Sequence, residues 1–275
     1  MLSERTYSIA KGVIRYWVNA YDATRPTLVF LPGLTADHTL FDEQIAEFGA
    51  KYNVLVWDAP GHAQSRPFVL DFSLEQEAQW LRGIVCQYAG EASAPIMIGQ
   101  SKGGMLAQKY LTLYPSHVGG IVSVDSTPLE GKYLRKAELW LLKHVEPFFY
   151  LYPWSVLKKS LASACAKTVS ARESMYKMLS AYTWREYCKL AGFGFRILAE
   201  AEEEQTTPLP KCPMLLFIGD EDRVGACQRL CGDWAHAEEL PLVIVPNARH
   251  NSNVDNPEFV NKQIQQFIQS VVNHQ

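Results

Sequence analysis

Gly99-Gln100-Ser101-Lys102-Gly103, three carboxylates in Gly219-Asp220-Glu221-Asp222-Arg223, and His250 occur in that order along the chain. Together they could carry out nucleophilic acyl transfer. A serine hydroxyl is a weak nucleophile until a base takes its proton, and an imidazole serving as that base needs a carboxylate to fix its tautomer and stabilise the imidazolium. The G-x-S-x-G spacing suits a sharp strand-to-helix turn that exposes the serine. Residues two before and two after that serine approach each other, so Gly99 and Gly103 fit where a Cβ would clash. Helix-start amides beside Ser101 would face a developing oxyanion.

The oxyanion needs two donors. The N–H of Lys102, directly after the serine, supplies one, and its side chain is expected to point away from the chemistry. The other comes from Leu31-Pro32-Gly33-Leu34-Thr35, with the N–H of Leu34 placed by the flexible Gly33. His250 follows the last apolar run by a four-residue loop, at the sheet edge where active sites of open α/β proteins collect. His117 and His144 have no comparable placement. His236 and His274 read as surface helix residues, and His38 as a loop residue that could edge the pocket. For the acid, Asp222, Asp220 and Asp125 are all available; Asp125 also suits a capping role at a strand end.

The elements that must hold these residues follow from hydropathy. Six unbroken apolar runs, Leu28 to Leu31, Val54 to Trp57, Ile96 to Ile98, Ile121 to Val124, Met214 to Ile218 and Leu242 to Val245, suit strands covered on both faces of a parallel sheet. Helical patterns lie between most of them. One helix has Ser73 and Gln76 in capping-box positions and a Leu74, Ala78, Leu81, Val85, Tyr88 stripe; another opens at Pro257 after Asn256. Val13 to Val18 is expected to add an antiparallel edge strand. The fold class is therefore α/β, a mostly parallel doubly wound sheet.

Roughly 90 residues separate the run at Ile121–Val124 from that at Met214, far beyond one crossover. Residues 127–207 accordingly read as an inserted helical cap, rich in aromatics and interrupted at Pro147 and Pro153, on a core of 1–126 and 208–275. Most of its aromatics are expected to pack rather than line a site. The acidic run Glu202 to Glu204 reads as a solvated exit from the cap.

Composition narrows the chemistry. The 275-residue chain has a net charge of −3 and no Lys/Arg-rich block, which removes the electrostatic footprint of a nucleic-acid binder. Its six cysteines show no C-x-x-C pair or zinc-site spacing and read as reduced thiols. Metal, nucleotide and dinucleotide motifs are missing, so no metal or cofactor is expected. A polar Met1 to Tyr7, and no apolar run of membrane-spanning length, give the expectation of a soluble cytoplasmic protein without an integral membrane segment.

The whole chain resembles the α/β-hydrolase superfamily. Leu31-Pro32-Gly33-Leu34 is similar to its H-G-x oxyanion loop, with proline where histidine is common. Trp57 to Ser65 is similar to D-x-P-G-x-G-x-S, with Ala63 in place of the second glycine. Gly219 to Asp222 resembles the G-x-x-D acid loop, which favours Asp222 over Asp220. Arg249-His250-Asn251 with Pro257 and Phe259 resembles the G-H…P…F close, except that Arg249 replaces glycine and could crowd the loop or put a cation near the pocket. The resemblance implies a serine hydrolase acting on a carboxylic ester or related acyl compound through Ser101, His250 and Asp222, with oxyanion donors Leu34 and Lys102; the aromatic character of residues 127–207 suggests an apolar or aromatic acyl group. It also leaves open a carbon–carbon bond hydrolase, a lactonase, a cofactor-free perhydrolase, or a slow or non-catalytic ligand-binding member.

Overall fold

In the computed structural model, which describes residues 2–273, eight strands form one sheet. The first four are β1 (Ser3–Ile9), β2 (Gly12–Val18), β3 (Thr27–Leu31) and β4 (Asn53–Trp57), with α1 (Asp42–Phe48) between the last two. After α2 (Leu74–Ala89) come β5 (Ile96–Gln100), α3 (Lys102–Leu113) and β6 (Gly120–Val124). The strand order is β1-β2-β4-β3-β5-β6, continued by β7 (Met214–Gly219) and β8 (Leu242–Val245). Every pairing from β4 to β8 is parallel; β1 and β2 are antiparallel additions.

Two expectations change here. The strand at Val13–Val18 is not the edge, because polar Ser3–Ile9 pairs along its whole length and takes that position. That outer strand is largely exposed, so hydropathy gave no sign of it. At the opposite edge, Ile244 of β8 is 53% exposed rather than covered, since no further strand flanks it.

Alternate side chains of the buried strands feed two apolar layers. Val29, Leu55, Met97 and Leu216 pack with α2, α3 and the Trp234 side of α9 (Cys227–Ala237). Leu28, Val54, Ile98 and Phe217 pack with Phe41, Phe48 and α11 (Pro257–Val272), whose Val260, Ile264, Ile268 and Val271 are buried. The short α10 (Ser252–Asp255) precedes α11. Ser73 and Gln76 form the capping box of α2 as the sequence indicates.

The interval from β6 to β7 carries α4 (Lys136–Lys143), α5 (Glu146–Phe149), α6 (Trp154–Cys165), α7 (Val169–Ser180) and α8 (Trp184–Glu204). Pro147 lies in the first turn of α5 and Pro153 caps α6, so both prolines start helices, where a missing N–H costs nothing. Several contacts tie this interval to the rest of the chain, two sets of them beside the sheet's carboxyl edge. Asp255 accepts hydrogen bonds from the backbone N–H groups of Lys167, Thr168 and Arg249, and the Ala63 N–H donates to the Tyr182 hydroxyl at 3.0 Å. Among the described residues no helix is long and apolar enough to cross a membrane.

Candidate active site

The turn between β5 and α3 gives Ser101 φ 52° and ψ −119°, a left-handed conformation that an L-residue adopts only under constraint. Three features supply the constraint. The Ser101 N–H donates to the Val124 carbonyl (2.9 Å), and its own carbonyl accepts from Ser126 Oγ (2.7 Å). A Cβ at Gly99 would collide with the Gly103 backbone, and one at Gly103 with the Leu31 carbonyl oxygen, so only glycine fits on either side. Gly33 is also needed for close approach: a Cβ there would strike the Gln100 side chain, while the positive φ of this loop belongs to Thr35, at 67°. Its role is therefore clearance rather than flexibility.

His250 is 5% exposed, and its Nδ1 lies 2.9 Å from Asp222 Oδ2. The second oxygen of Asp222 accepts from the Val224 N–H at 2.8 Å, which leaves both oxygens of this buried carboxylate engaged. Burial alone would lower the imidazole pKa. The Asp222 charge and hydrogen bond, with a contribution from Cys227, outweigh it and carry the ring well above its usual range.

The other two candidate acids have different work. Asp220 accepts from the Asn247 and Ala248 amides, both at 3.0 Å, closing the loop that leads to His250. Asp125 is fully buried, and its two oxygens accept from the Gly219 N–H (2.8 Å) and the Ser252 N–H (2.9 Å). It therefore clamps the acid loop to the histidine loop. Burial pushes its carboxyl up to about 7, against the lowering effect of His250.

Ser101, His250, Leu34 and Lys102 all border one cavity of about 460 Å³. That size lies within the ordinary range for a small-molecule pocket. Among the described residues no hydrogen bond joins the Ser101 hydroxyl to the His250 ring; unliganded sites often close that contact only with substrate bound. Lys102 opens α3, so its N–H lacks an intrahelical partner. Its ammonium points away, as expected, into a buried ion pair with Glu77 behind the elbow. Beside that pair, burial and the Lys102 charge pull His62 down to about 3.

The cavity wall is mostly apolar, with leucines the commonest residue (Leu141, Leu161 and Leu198 among them); of the aromatics between 127 and 207, Tyr187 and Phe195 reach it. His38 does not edge it: the ring stacks on Trp17 and its Nδ1 lies 2.8 Å from Asp58. Arg249 adds no cation to the lining either, since its guanidinium bonds the Ser163 carbonyl of α6. His236 lies on α9, and His274 is outside the described residues.

The acidic run departs most from its expected role. Glu203 and Glu204 are exposed, but Glu202 is 3% exposed and borders the cavity, because α8 turns that face inward beside Leu198 and Ala201. Gln100 has a role that its place in the motif does not indicate. Its Nε2 donates to the His250 carbonyl at 2.8 Å and so couples the elbow to the histidine loop. A variable position inside a motif gives no sequence signal for such a role.

Among the described residues Asp222, Cys227 and His250 are the group that could gather round a metal ion, with one ligand atom each within 4.8 Å. Asp222 and His250 already satisfy one another. The group serves equally as a carboxylate–imidazole pair with a neighbouring thiol.

An open α/β sheet with a strained serine at a strand-to-helix elbow and a buried carboxylate–imidazole pair at the same edge defines a hydrolase-type scaffold. The chain belongs to the alpha/beta hydrolase family, whose model matches residues 28–263. A relative from Acinetobacter baylyi, named (E)-2-((N-methylformamido)methylene)succinate hydrolase, is 22% identical, with 88% of this chain and 90% of that one covered. The 3-oxoadipate enol-lactonase 2 of the same organism is also 22% identical, covering 93% of each chain. Among solved structures, a thermophilic esterase from Thermogutta terrifontis, with malate bound, aligns with a TM-score of 0.78 at 18% identity, covering 98% of this chain and 99% of that one.

Proposed function

We propose that this chain is a serine hydrolase that cleaves a carboxylic ester or related acyl compound through an acyl-enzyme. The observation that carries the reading is the 2.9 Å bond between His250 Nδ1 and Asp222 Oδ2, at the edge of the cavity that Ser101 also borders. Ser101 Oγ attacks the acyl carbon while its proton passes to His250 Nε2. The tetrahedral oxyanion accepts from the N–H groups of Leu34 and Lys102. Collapse expels the alcohol, which takes the proton from the imidazolium. Water then attacks the acyl-enzyme with His250 again as base, releasing the acid and regenerating Ser101. Residues 127–207 act as a cap on the core formed by 1–126 and 208–275, and the aliphatic wall favours an apolar acyl group.

A lactone is the second reading, supported by the full-length likeness to an enol-lactonase. It uses the same steps, with the leaving alcohol tethered to the acyl group. Hydrolysis of p-nitrophenyl esters graded in acyl length, beside a parallel set of lactones, tests both. Turnover of either set that disappears in Ser101→Ala supports the assignment; turnover that persists in this variant removes it.

A further inference from the structure

Glu202 is the polar group in the cavity wall that neither the fold nor the proposed chemistry explains. It lies on α8, with only 3% of its surface exposed, and among the described residues its Oε2 has no hydrogen-bond partner. The remaining wall around it is largely aliphatic, with Leu141, Leu142 and Leu198 among its residues. A desolvated carboxyl oxygen without a partner is costly to retain in such a wall. The adjacent carboxylate does not relieve it: Glu138 Oε1 accepts from Arg229, and its Oε2 accepts from the Arg135 N–H, both at 2.8 Å. Arg229 is engaged by Glu138 and, at 3.6 Å, by Asp233.

We propose that Glu202 is a specificity-determining anchor that hydrogen-bonds a hydroxyl group carried on an otherwise apolar acyl chain; this rests on the hydrolase reading above. Two properties favour a hydroxyl over an ammonium. Burial, reinforced by the Glu138 charge, raises the Glu202 carboxyl to about 8, so at neutral pH it is protonated and can both donate and accept. A hydroxyl offers the complementary donor and acceptor. An ammonium would require an ion pair inside an aliphatic wall, and the desolvation of two charges opposes that. A plain alkyl chain would leave the carboxyl unmatched.

The test compares p-nitrophenyl esters of ω-hydroxy, ω-amino and unsubstituted linear acids of roughly four to eight carbons, a range suited to a pocket of this size. In the wild type, kcat/KM for the best ω-hydroxy ester should exceed that of the equally long alkyl ester on the order of tenfold. Glu202→Leu should erase or invert this ratio, whereas Glu202→Gln, which still donates and accepts, should keep most of it. A purely structural Glu202 would change thermal stability in both variants and leave the ratio alone. Equal rates for hydroxy and alkyl chains in the wild type overturn the proposal, and so does a preference for the ω-amino ester. Those comparisons need no variant that might fail to fold. Binding of α,ω-diols against 1-alkanols, followed by ligand-observed NMR, provides a readout independent of turnover. If no ester is hydrolysed but diols bind more tightly and Glu202→Leu removes the difference, the hydrolase reading fails and the anchor stands; equal binding removes the anchor.

Discussion

Asp125 Oδ1 lies 2.8 Å from the Gly219 nitrogen, while its other oxygen accepts from Ser252. One buried carboxylate thus holds together the loops that carry Asp222 and His250, without being bonded to the imidazole itself. This separates two carboxylates that sequence spacing cannot rank. Asp222→Asn is expected to lower ester turnover by about 10³- to 10⁴-fold with the fold intact, because it removes the group that orients His250. Asp125→Asn instead turns an amide NH₂ toward a backbone N–H and leaves buried donors unmatched, costing about 1–3 kcal/mol of stability. Its effect on turnover should be the smaller of the two. Urea denaturation and steady-state kinetics on both variants would show this split, and the reverse pattern would make Asp125 the orienting acid.

In the proposed mechanism His250 must be neutral to accept the serine proton. Its pKa lies well above 6.5, because the Asp222 charge and hydrogen bond outweigh the lowering by burial. Activity should therefore rise with pH along a limb centred above the usual imidazole range. Removing the charge in Asp222→Asn should move that limb to lower pH in whatever activity remains. A pH profile of kcat/KM from pH 5 to 10 reads both positions; a limb at or below the ordinary histidine value in the wild type would contradict the electrostatics described.

Glu202 also leaves a signature in stability. Its folded carboxyl is raised to about 8 from an ordinary 4.5. Between those values the native state holds a proton that the unfolded chain has released, so stability falls as pH rises through this window. Glu202→Gln does not titrate and should lack that component. The difference in denaturation midpoint, variant minus wild type, should grow from pH 5 to pH 9. A difference that stays constant would mean that Glu202 is ionised, or solvated, in the native protein.

Behind the elbow, Lys102 and Glu77 form an ion pair in which the side chains are 3% and 0% exposed. Removing one partner leaves an uncompensated buried charge, at a cost of about 3–5 kcal/mol. Glu77→Gln and Lys102→Met should each destabilise on that scale. A Glu77→Leu, Lys102→Met double variant should recover much of the loss, because an apolar pair replaces both charges. Thermal and urea unfolding measure this cycle, and simple additivity would mean that the pair is not coupled.

The parallel sheet was readable because burial on both faces writes unbroken apolar runs such as Val54 to Trp57. Ser101 and its flanking glycines were readable because steric clearance at the elbow restricts residue type. Two kinds of feature stayed hidden. Ser3–Ile9 is a strand through edge pairing with β2, and an exposed partner leaves no hydrophobic pattern. Glu202 sits in a Glu-Glu-Glu run whose local character is that of solvent-facing residues; only the rotation of α8 against the core turns one of the three inward. Ala63 shows the same limit, holding φ 36° where the related motif has glycine, in a loop fixed by Asp58 Oδ2 from within and by Arg66 and the distant Tyr182 from outside. Roles set by distant partners cannot be read from spacing.

The central claim is that Ser101 is a nucleophile activated by His250. The most direct measurement is intact-mass analysis after exposure to an alkyl fluorophosphonate at neutral pH. One adduct per chain should form on the wild type and map to the peptide containing Ser101. Ser101→Ala should take up none, and labelling of His250→Ala should be slower by orders of magnitude. A wild-type protein that is folded yet unlabelled, or an adduct that persists in Ser101→Ala, would contradict the account.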